Sequence, residues 1–322
     1  MITYAKRQSG TRASRVGSSR QARLHCERRD LQSPVLEFRN VSVAFDDKPA
    51  LIDISFQLHK GEMIFMTGES GAGKSVLLRL AMGLLKPDAG QIFVGDREIE
   101  TLDESELLAI RGGLMGMVFQ ENSLFTGLSV YENAAYRLEE HDWTKQDIQK
   151  AVTEVLDFVG LAGEEDKLPE HLSGGMKRRL EIARALVGWP SIMLFDEPTM
   201  SLDPIVALQV LDLILRARDI NKISSIYVTK KIYELPYLSN YVALQEEDRI
   251  VINEAPSDKF PMTRIMVLEA GRMVFTGSLS EFQTSDLAAV RRLLTLDQHN
   301  HLADPYFPNP WDKSREPLEK LL

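Results

Sequence analysis

Cysteine is almost absent from this chain, which has one, Cys26, among 322 residues. A disulfide framework needs pairs of cysteines and a cysteine-based zinc site needs several, so both are excluded and a reducing compartment is favoured. Long hydrophobic runs are also missing: no apolar run reaches the roughly 18 residues that a membrane span needs. We therefore expect that the chain does not cross a bilayer by itself.

Outside the N-terminal segment, basic residues are fewer than acidic ones. Residues 1–30 contain eight Lys/Arg and two Asp/Glu, which leaves 30 Lys/Arg against 45 Asp/Glu, a formal net charge of −15, in residues 31–322. Nucleic-acid binding depends on neutralising phosphates, so this acidic body argues against a nucleic-acid partner. Residues 1–33 are rich in Ser and Arg and are predicted to be a disordered basic tail; the alternative is an arm that contacts anionic lipid headgroups.

The most informative motif is a glycine-rich loop between a buried strand and a helix. Residues 68–75 read G-x-x-x-x-G-K-S, after the apolar run 63–67 and before the helical stretch 76–82. This is the context of a phosphate-binding P-loop, whose backbone N–H groups surround phosphate oxygens. The predicted nucleotide-binding residues are Gly68, Glu69, Ser70, Gly71, Ala72, Gly73, Lys74, Ser75 and Val76. Lys74 supplies charge for the phosphates, and the Ser75 hydroxyl is placed for Mg²⁺.

Two further motifs gain meaning behind a P-loop. The apolar run 191–195 ends in Asp196 and Glu197, which is the Walker B arrangement: Asp196 would hold Mg²⁺ and Glu197 would polarise an attacking water. Ser173, Gly174, Gly175 and Met176 open a helix and form a second anion site that has no lysine of its own. Such a site has a purpose if a second subunit brings a phosphate to it.

Two single residues complete the candidate site. Gln120 follows the apolar stretch 115–119, and becomes a Mg²⁺ and nucleotide contact if the γ-phosphate lies nearby. Phe45 lies a little over twenty residues before the glycine loop. Its ring either stacks on an adenine or simply packs against its own domain, and position alone does not decide between the two.

In their order, these motifs resemble the ATP-binding subunits of ABC transporters. The P-loop, Gln120, the signature Leu172–Met176, the Asp196-Glu197 pair and residues 201–204 carry the likeness, which covers roughly residues 35–290. It implies an α/β fold: a P-loop NTPase ABC-type ATPase core with an antiparallel β subdomain and a helical subdomain at about 105–180. The ATPase domain would span 34–286. The family's mechanism implies ATP and Mg²⁺ as cofactors, a head-to-tail dimer of two copies and an integral-membrane permease as partner.

A narrower resemblance concerns residues 119–141. Phe119 to Val130, then Glu132 to Ala135 and Leu138 to His141, are similar to the Mla-like ATPases of MCE-type lipid transporters, as is Met176 in place of the usual glutamine. This implies transport of phospholipids or other hydrophobic compounds, an MCE-domain partner, and a peripheral location on the cytoplasmic face of the inner membrane. A permease helix would sit near residues 125–131. The alternatives are a soluble, non-transport ABC ATPase and a slow-turnover nucleotide-sensing subunit.

The chain departs from the family pattern in two places. Lys230 stands where the family has a histidine that contacts the γ-phosphate, so hydrolysis is either slowed or served by the lysine as a cation. Residues 241–262 form an additional segment, which we expect to be a hairpin on the sheet edge. The region 287–322 is predicted to begin as a helix and to end in a proline- and aromatic-rich arm, which either crosses to a second subunit or packs on its own domain.

Overall fold

The computed structural model describes residues 33–121, 123–140, 143–247, 249–255 and 263–301. Residues 1–32 of the basic tail and the arm beyond His301 lie outside the described residues, as do residues 248 and 256–262 of the additional segment. The strands are β1 (Leu36–Phe45), β2 (Lys48–Leu58), β3 (Met63–Thr67), β4 (Ala89–Val94), β5 (Arg97–Glu98), β6 (Met115–Val118), β7 (Ile192–Asp196), β8 (Ser224–Val228), β9 (Tyr241–Glu246), β10 (Arg249–Glu254), β11 (Thr263–Glu269) and β12 (Arg272–Gly277).

The helices are α1 (Lys74–Ala81), α2 (Glu104–Gly113), α3 (Val130–Glu139), α4 (Lys145–Phe158), α5 (Gly174–Leu186), α6 (Pro204–Asp219), α7 (Glu234–Asn240), α8 (Leu279–Thr284) and α9 (Ala288–His301). Short 3-10 helices occur at Ile99–Thr101 and Pro169–His171. Within the described ranges, no helix combines the length and the apolar character that crossing a membrane requires.

The centre of the fold is a six-stranded sheet in the order β12-β11-β3-β8-β7-β6. Its strands are parallel except β12, which pairs antiparallel with β11. A second, antiparallel sheet has the order β2-β1-β4-β5. Between β6 and β7 the chain forms α3, α4 and α5, whereas β6, which falls inside the predicted helical subdomain of about 105–180, belongs to the central sheet.

Alternation along the central strands divides the core into two clusters. Ile64 and Met66 of β3 pack with the antiparallel sheet and α1, whereas Met63 and Phe65 pack on the opposite side with the helices of residues 130–219. Successive side chains of a strand point to opposite faces, so a continuous apolar run such as 63–66 serves both clusters. The P-loop strand is therefore buried on both sides.

The additional segment does form a hairpin, but its expected place on the sheet edge is wrong. β9 and β10 make a separate two-stranded sheet, and the edges of the six-stranded sheet are β12 and β6. The hairpin is joined to the end of α6 instead: the Ala243 N–H donates to Asp219 Oδ2 (2.8 Å), and Arg218 Nη2 donates to the Tyr241 carbonyl (2.8 Å). Because these contacts hold β9 against the helix, it does not extend the sheet.

Candidate functional site

The predicted site residues meet where three parallel strands end. β8 lies between β3 and β7, and its Val228 is opposite both Met66 and Asp196. The P-loop follows β3, Glu197 follows β7, and Lys230 follows β8. The carboxyl ends of neighbouring parallel strands form a crevice at one edge of a sheet, which is where open α/β folds bind ligands. Strand order thus brings together segments that are far apart in the chain.

Glycine is required in the P-loop by conformation and by space. Gly68, Gly71 and Gly73 have φ of 149°, 80° and 99°. A Cβ at Gly68 would lie 2.1 Å from the Leu268 carbonyl oxygen, and one at Gly73 would lie 2.6 Å from the Ala50 carbonyl oxygen. Positive φ costs glycine little and other residues more. The loop therefore holds a shape that side chains would disturb.

Lys74 lies beneath this loop as a buried cation. Its Nζ donates to the carbonyls of Gly68 (2.7 Å) and Glu69 (2.9 Å). Burial lowers the pKa of Lys74, and the negative charge of Glu197 opposes that shift. Lysine is a compact point charge, so at this position it can attract phosphate oxygens that approach the loop.

The remaining loop residues differ in their surroundings. Glu69 and Ser70 are exposed, Ala72 is buried, and Val76 is half-buried against the apolar cluster on this side of the sheet. Glu69 pairs with Arg292 of α9, whose Nε is 3.5 Å from Glu69 Oε1. No pattern in the sequence indicated Arg292, because an ion pair between residues so far apart in the chain depends on how α9 packs.

The carboxylate of Asp196 is suited to a metal ion. Asp196 is 4% exposed, and its Oδ1 has no hydrogen-bond partner among the described residues. Burial raises the pKa of Asp196, and a hydrogen bond from the Ser75 side chain opposes the shift. An unpartnered buried acceptor costs about 1–3 kcal/mol, which a cation would relieve. Carboxylate and hydroxyl oxygens are the ligands that Mg²⁺ prefers, so Ser75 and Asp196 fit this ion.

Arg79 is a neighbour that sequence reasoning missed. Its positive charge favours the ionised form of Asp196 and so lowers the pKa of that carboxyl, against the effect of burial. Arg79 lies four residues after Ser75 on α1. Residues at this spacing share a helix face, which is the signal that could have identified it.

Glu197 and Lys230 form an ion pair at the mouth of the crevice. Lys230 Nζ is 3.4 Å from Glu197 Oε1; the glutamate side chain is 7% exposed and the lysine side chain 45%. The Glu197 N–H donates to the Val228 carbonyl (2.9 Å), which ties β7 to the end of β8. The Glu197 carboxylate can accept a proton, and the Lys230 ammonium group beside it can contact an anion.

Gln120 lies beside the segment that follows Glu197. Its Nε2 is 3.2 Å from the sulfur of Met200. Its backbone is held by α5, because Arg178 donates to the carbonyls of Phe119 (2.9 Å) and Gln120 (3.4 Å). The Gln120 side chain thus lies near the segment that follows Glu197, and its contact in the structure is with Met200.

Phe45 and the signature lie at the margins of this cluster. Phe45 ends β1 with its ring 45% exposed, and Ala50 of the same hairpin abuts Gly73 of the P-loop. Ser173 caps α5 by accepting from the Met176 N–H (3.3 Å). Ser173 and Gly174 are exposed, and no atom lies within 4 Å of a Cβ built at Gly174, whereas one at Gly175 would meet Val206 at 2.7 Å. The signature therefore presents an open surface.

The chain is similar to known proteins in sequence and in fold. The model of the family described as ABC transporter matches residues 51–200. The methionine import ATP-binding protein MetN of Rhodopseudomonas palustris (strain BisB5) is 41% identical over 229 residues, 71% of this chain and 62% of the relative. Protein TRIGALACTOSYLDIACYLGLYCEROL 3, chloroplastic, of Arabidopsis thaliana is 33% identical over 282 residues, 84% of this chain and 77% of the relative.

A solved structure adds information on assembly. The dimeric post-hydrolysis state of the ATP-binding cassette MJ0796, bound to ADP and Pi, is similar to this chain with a TM-score of 0.63 at 25% identity, over 76% of this chain and 98% of that one. The chain spans 62% of the length of the MetN relative, so more than a third of that relative lies outside the match.

Proposed function

Because the chain belongs to the ABC transporter family of ATP-binding proteins, we propose that it binds and hydrolyses ATP as the motor subunit of a transporter. The observation that carries the proposal is the convergence of Lys74, Asp196 and Glu197 at one edge of the sheet, where the P-loop follows β3, the two acidic residues stand at the end of β7, and β8 lies between these strands. Phosphoryl transfer needs a cation for the phosphates, a ligand for Mg²⁺ and a group that orients the attacking water. Lys74, Asp196 and Glu197 match these three needs.

Each residue has a role that follows from its surroundings. The P-loop amides and Lys74 bind the phosphates, and Ser75, Gln120 and Asp196 hold Mg²⁺. When bound, the ion neutralises charge on the phosphate oxygens. Glu197 orients the attacking water and takes its proton, since a carboxylate in hydrogen-bond reach is a general base. Phe45 stacks on the base from the hairpin that borders Gly73.

Lys230 moves from Glu197 to the γ-phosphate when the nucleotide binds. An ion pair with one exposed partner is weak, so a phosphate with more charge than a carboxylate competes for the ammonium group. This exchange frees Glu197 for water and supplies a cation to the transferred group. Lys230 thereby takes over the phosphate contact of the histidine that it replaces, and the chain remains an active ATPase.

The open signature calls for a second copy of the chain. Ser173, Gly174 and Gly175 present backbone N–H groups at the start of α5, where an anion is favoured. In a head-to-tail dimer they would bind the γ-phosphate held by the partner's P-loop. The dimeric state of the similar cassette supports this assembly. Closure of the dimer around ATP would then act on a membrane permease docked near residues 125–131.

For the cargo, we propose phospholipids or other hydrophobic compounds, moved with an MCE-domain partner. The resemblance of residues 119–141 to Mla-like ATPases supports this reading. So does the relative named for trigalactosyldiacylglycerol, a lipid, since its match extends over 282 residues of this chain. The location that goes with this function is the cytoplasmic face of the inner membrane.

A second candidate is amino-acid import. It is favoured by the 41% identity to a methionine import protein, although that match covers 229 residues of this chain and leaves more than a third of the relative unmatched. The two candidates share the ATPase chemistry and differ in the permease and the binding protein that accompany the chain. Partner identity therefore discriminates between them.

The test is to purify the tagged full chain from detergent-solubilised native membranes and to identify the accompanying proteins and lipids. Co-purification of a multispan permease with an MCE-domain protein and bound phospholipid is the expected result. A permease with a methionine-binding protein would establish the second candidate. Recovery of a soluble dimer alone would leave an ABC ATPase without the transport role. The same purification is repeated with the Glu197→Gln variant. This variant should bind ATP without hydrolysing it and so keep the assembly together.

A further inference from the structure

A fully buried carboxylate lies behind the candidate site and has no part in the chemistry described above. Glu234, the first residue of α7, is 0% exposed. Its Oε2 accepts from the Tyr227 hydroxyl (2.7 Å), its Oε1 accepts from the Thr199 hydroxyl, and Lys231 Nζ is 4.0 Å from Oε1. A buried carboxylate is costly unless it is paired and hydrogen-bonded, and here it has both kinds of partner. The cluster of Glu234, Thr199, Tyr227 and Lys231 links three segments of chain.

One branch of this cluster fixes the segment that carries Glu197. Glu197 and Ser201 both have positive φ, 50° and 62°, and Thr199 lies midway between them. Each such non-glycine residue costs about 1–3 kcal/mol and persists where its surroundings over-determine it. Thr199 is held at two points, by its hydroxyl on Glu234 and by its carbonyl, which accepts from Lys231 Nζ (2.8 Å). The anchored residue thus lies in the middle of a strained turn.

The other branch fixes the segment that carries Lys230. Lys231 is its direct neighbour, and the Lys231 N–H donates to Thr229 Oγ1 (3.0 Å). The Glu234 N–H in turn donates to the Lys231 carbonyl (3.1 Å), and the Lys231 ammonium faces the Glu234 carboxylate. One buried side chain is therefore attached to both loops whose outer residues form the Glu197–Lys230 pair.

We propose that Glu234 is a positioning residue that sets the placement of Glu197 relative to Lys230, acting through Thr199 and Lys231. The effect on turnover rests on the proposed ATPase function, whereas the effect on loop placement does not. A misplacement of reactive groups by about 1 Å can lower a rate about a hundredfold. A residue that fixes the loops carrying Glu197 and Lys230 therefore affects kcat. Most of the proposed phosphate contacts come from the P-loop, and among the described residues Thr199 has no hydrogen bond to that loop.

The experiment compares two variants that each remove one donor to Glu234. Thr199→Val removes the link to the Glu197 segment, and Tyr227→Phe removes a donor from within β8. Both leave the buried carboxylate short of one hydrogen bond and keep the side-chain shape, so their thermal destabilisation should be similar. Thr199→Ser, which retains the hydroxyl, is the conservative variant. The measurements are kcat, Kd for ATP and amide hydrogen exchange of the peptide 197–203.

We expect Thr199→Val to lower kcat about tenfold or more while Kd for ATP stays within about twofold, and Tyr227→Phe to change kcat less than about threefold. Thr199→Ser should restore most of the rate. Exchange over 197–203 should accelerate in Thr199→Val but not in Tyr227→Phe. Equal kcat losses and equal exchange in the two variants would reduce Glu234 to a folding role and overturn the proposal.

The exchange measurement separates this proposal from the proposed function. If the wild-type chain binds ATP without turning it over, the ATPase function fails. Faster exchange confined to Thr199→Val would still establish the anchoring of the Glu197 segment. Unchanged exchange in that variant would refute the anchoring, whatever the rate of hydrolysis.

Discussion

Replacement of Lys230 by methionine tests how this chain works without the family's histidine. At 3.4 Å, two unit charges in an effective dielectric of about 20 attract by about 5 kcal/mol. Lys230 is 45% exposed, so solvent screening reduces the net value of the pair to about 0.5–1 kcal/mol. Lys230→Met should therefore lower the free energy of unfolding by no more than about 1 kcal/mol.

The same substitution should have a larger effect on turnover. If the ammonium group moves to the γ-phosphate, its loss removes a charged hydrogen bond worth about 1.5–3 kcal/mol. That corresponds to a fall in kcat of about 10- to 150-fold. Lys230→Arg keeps the charge and is the matched control, with a kcat expected within about fivefold of wild type.

The assay is release of phosphate at saturating ATP, with the thermal midpoint measured on the same preparations. The prediction joins a small loss of stability to a large loss of rate. A methionine variant that hydrolyses ATP as fast as wild type, or faster, would refute the reasoning. In that case Lys230 restrains Glu197 and gives nothing to the phosphate, as the nucleotide-sensing alternative requires.

Three further predictions concern other residues. Glu197→Gln should retain ATP binding and lose about 10²–10⁴-fold in kcat, measured as nucleotide binding against phosphate release; a normal rate would remove its role as base. Gly68→Ala should destabilise the fold by about 2 kcal/mol or more in urea unfolding, because its Cβ would lie 2.1 Å from the Leu268 carbonyl oxygen; an unchanged midpoint would contradict this contact. Burial raises the pKa of Glu234 above its ordinary 4.5. Between 4.5 and the raised value, the folded state keeps a proton that the unfolded state has lost. The free energy of unfolding should therefore fall as pH rises through this range. Glu234→Gln should flatten that part of the curve of thermal midpoint against pH, and an identical curve would show that another group titrates there.

Much of this protein could be predicted from local pattern. The strand, glycine loop and helix around residues 63–81 are encoded by contiguous residues, and the structure has β3 and α1 at those positions. The signature helix also begins where Ser173 indicates a cap. Such features are local, because the hydrogen bonds that define them join residues a few positions apart. The chemistry of the acidic pair likewise follows from its place at the end of an apolar run.

Other features depended on the tertiary structure. The sequence identified Lys230 as a substitute for histidine, but the ion pair with Glu197 exists because β8 lies beside β7. The hairpin of residues 241–254 was placed on the wrong neighbour, since the contacts of Asp219 and Arg218 that hold it to α6 leave no mark on its own residues. Glu234 was not singled out from the sequence, because only packing buries its side chain against Thr199 and Tyr227. Local structure is determined by residues that are close together in the chain. Burial and pairing across the fold depend instead on which strands and helices pack side by side.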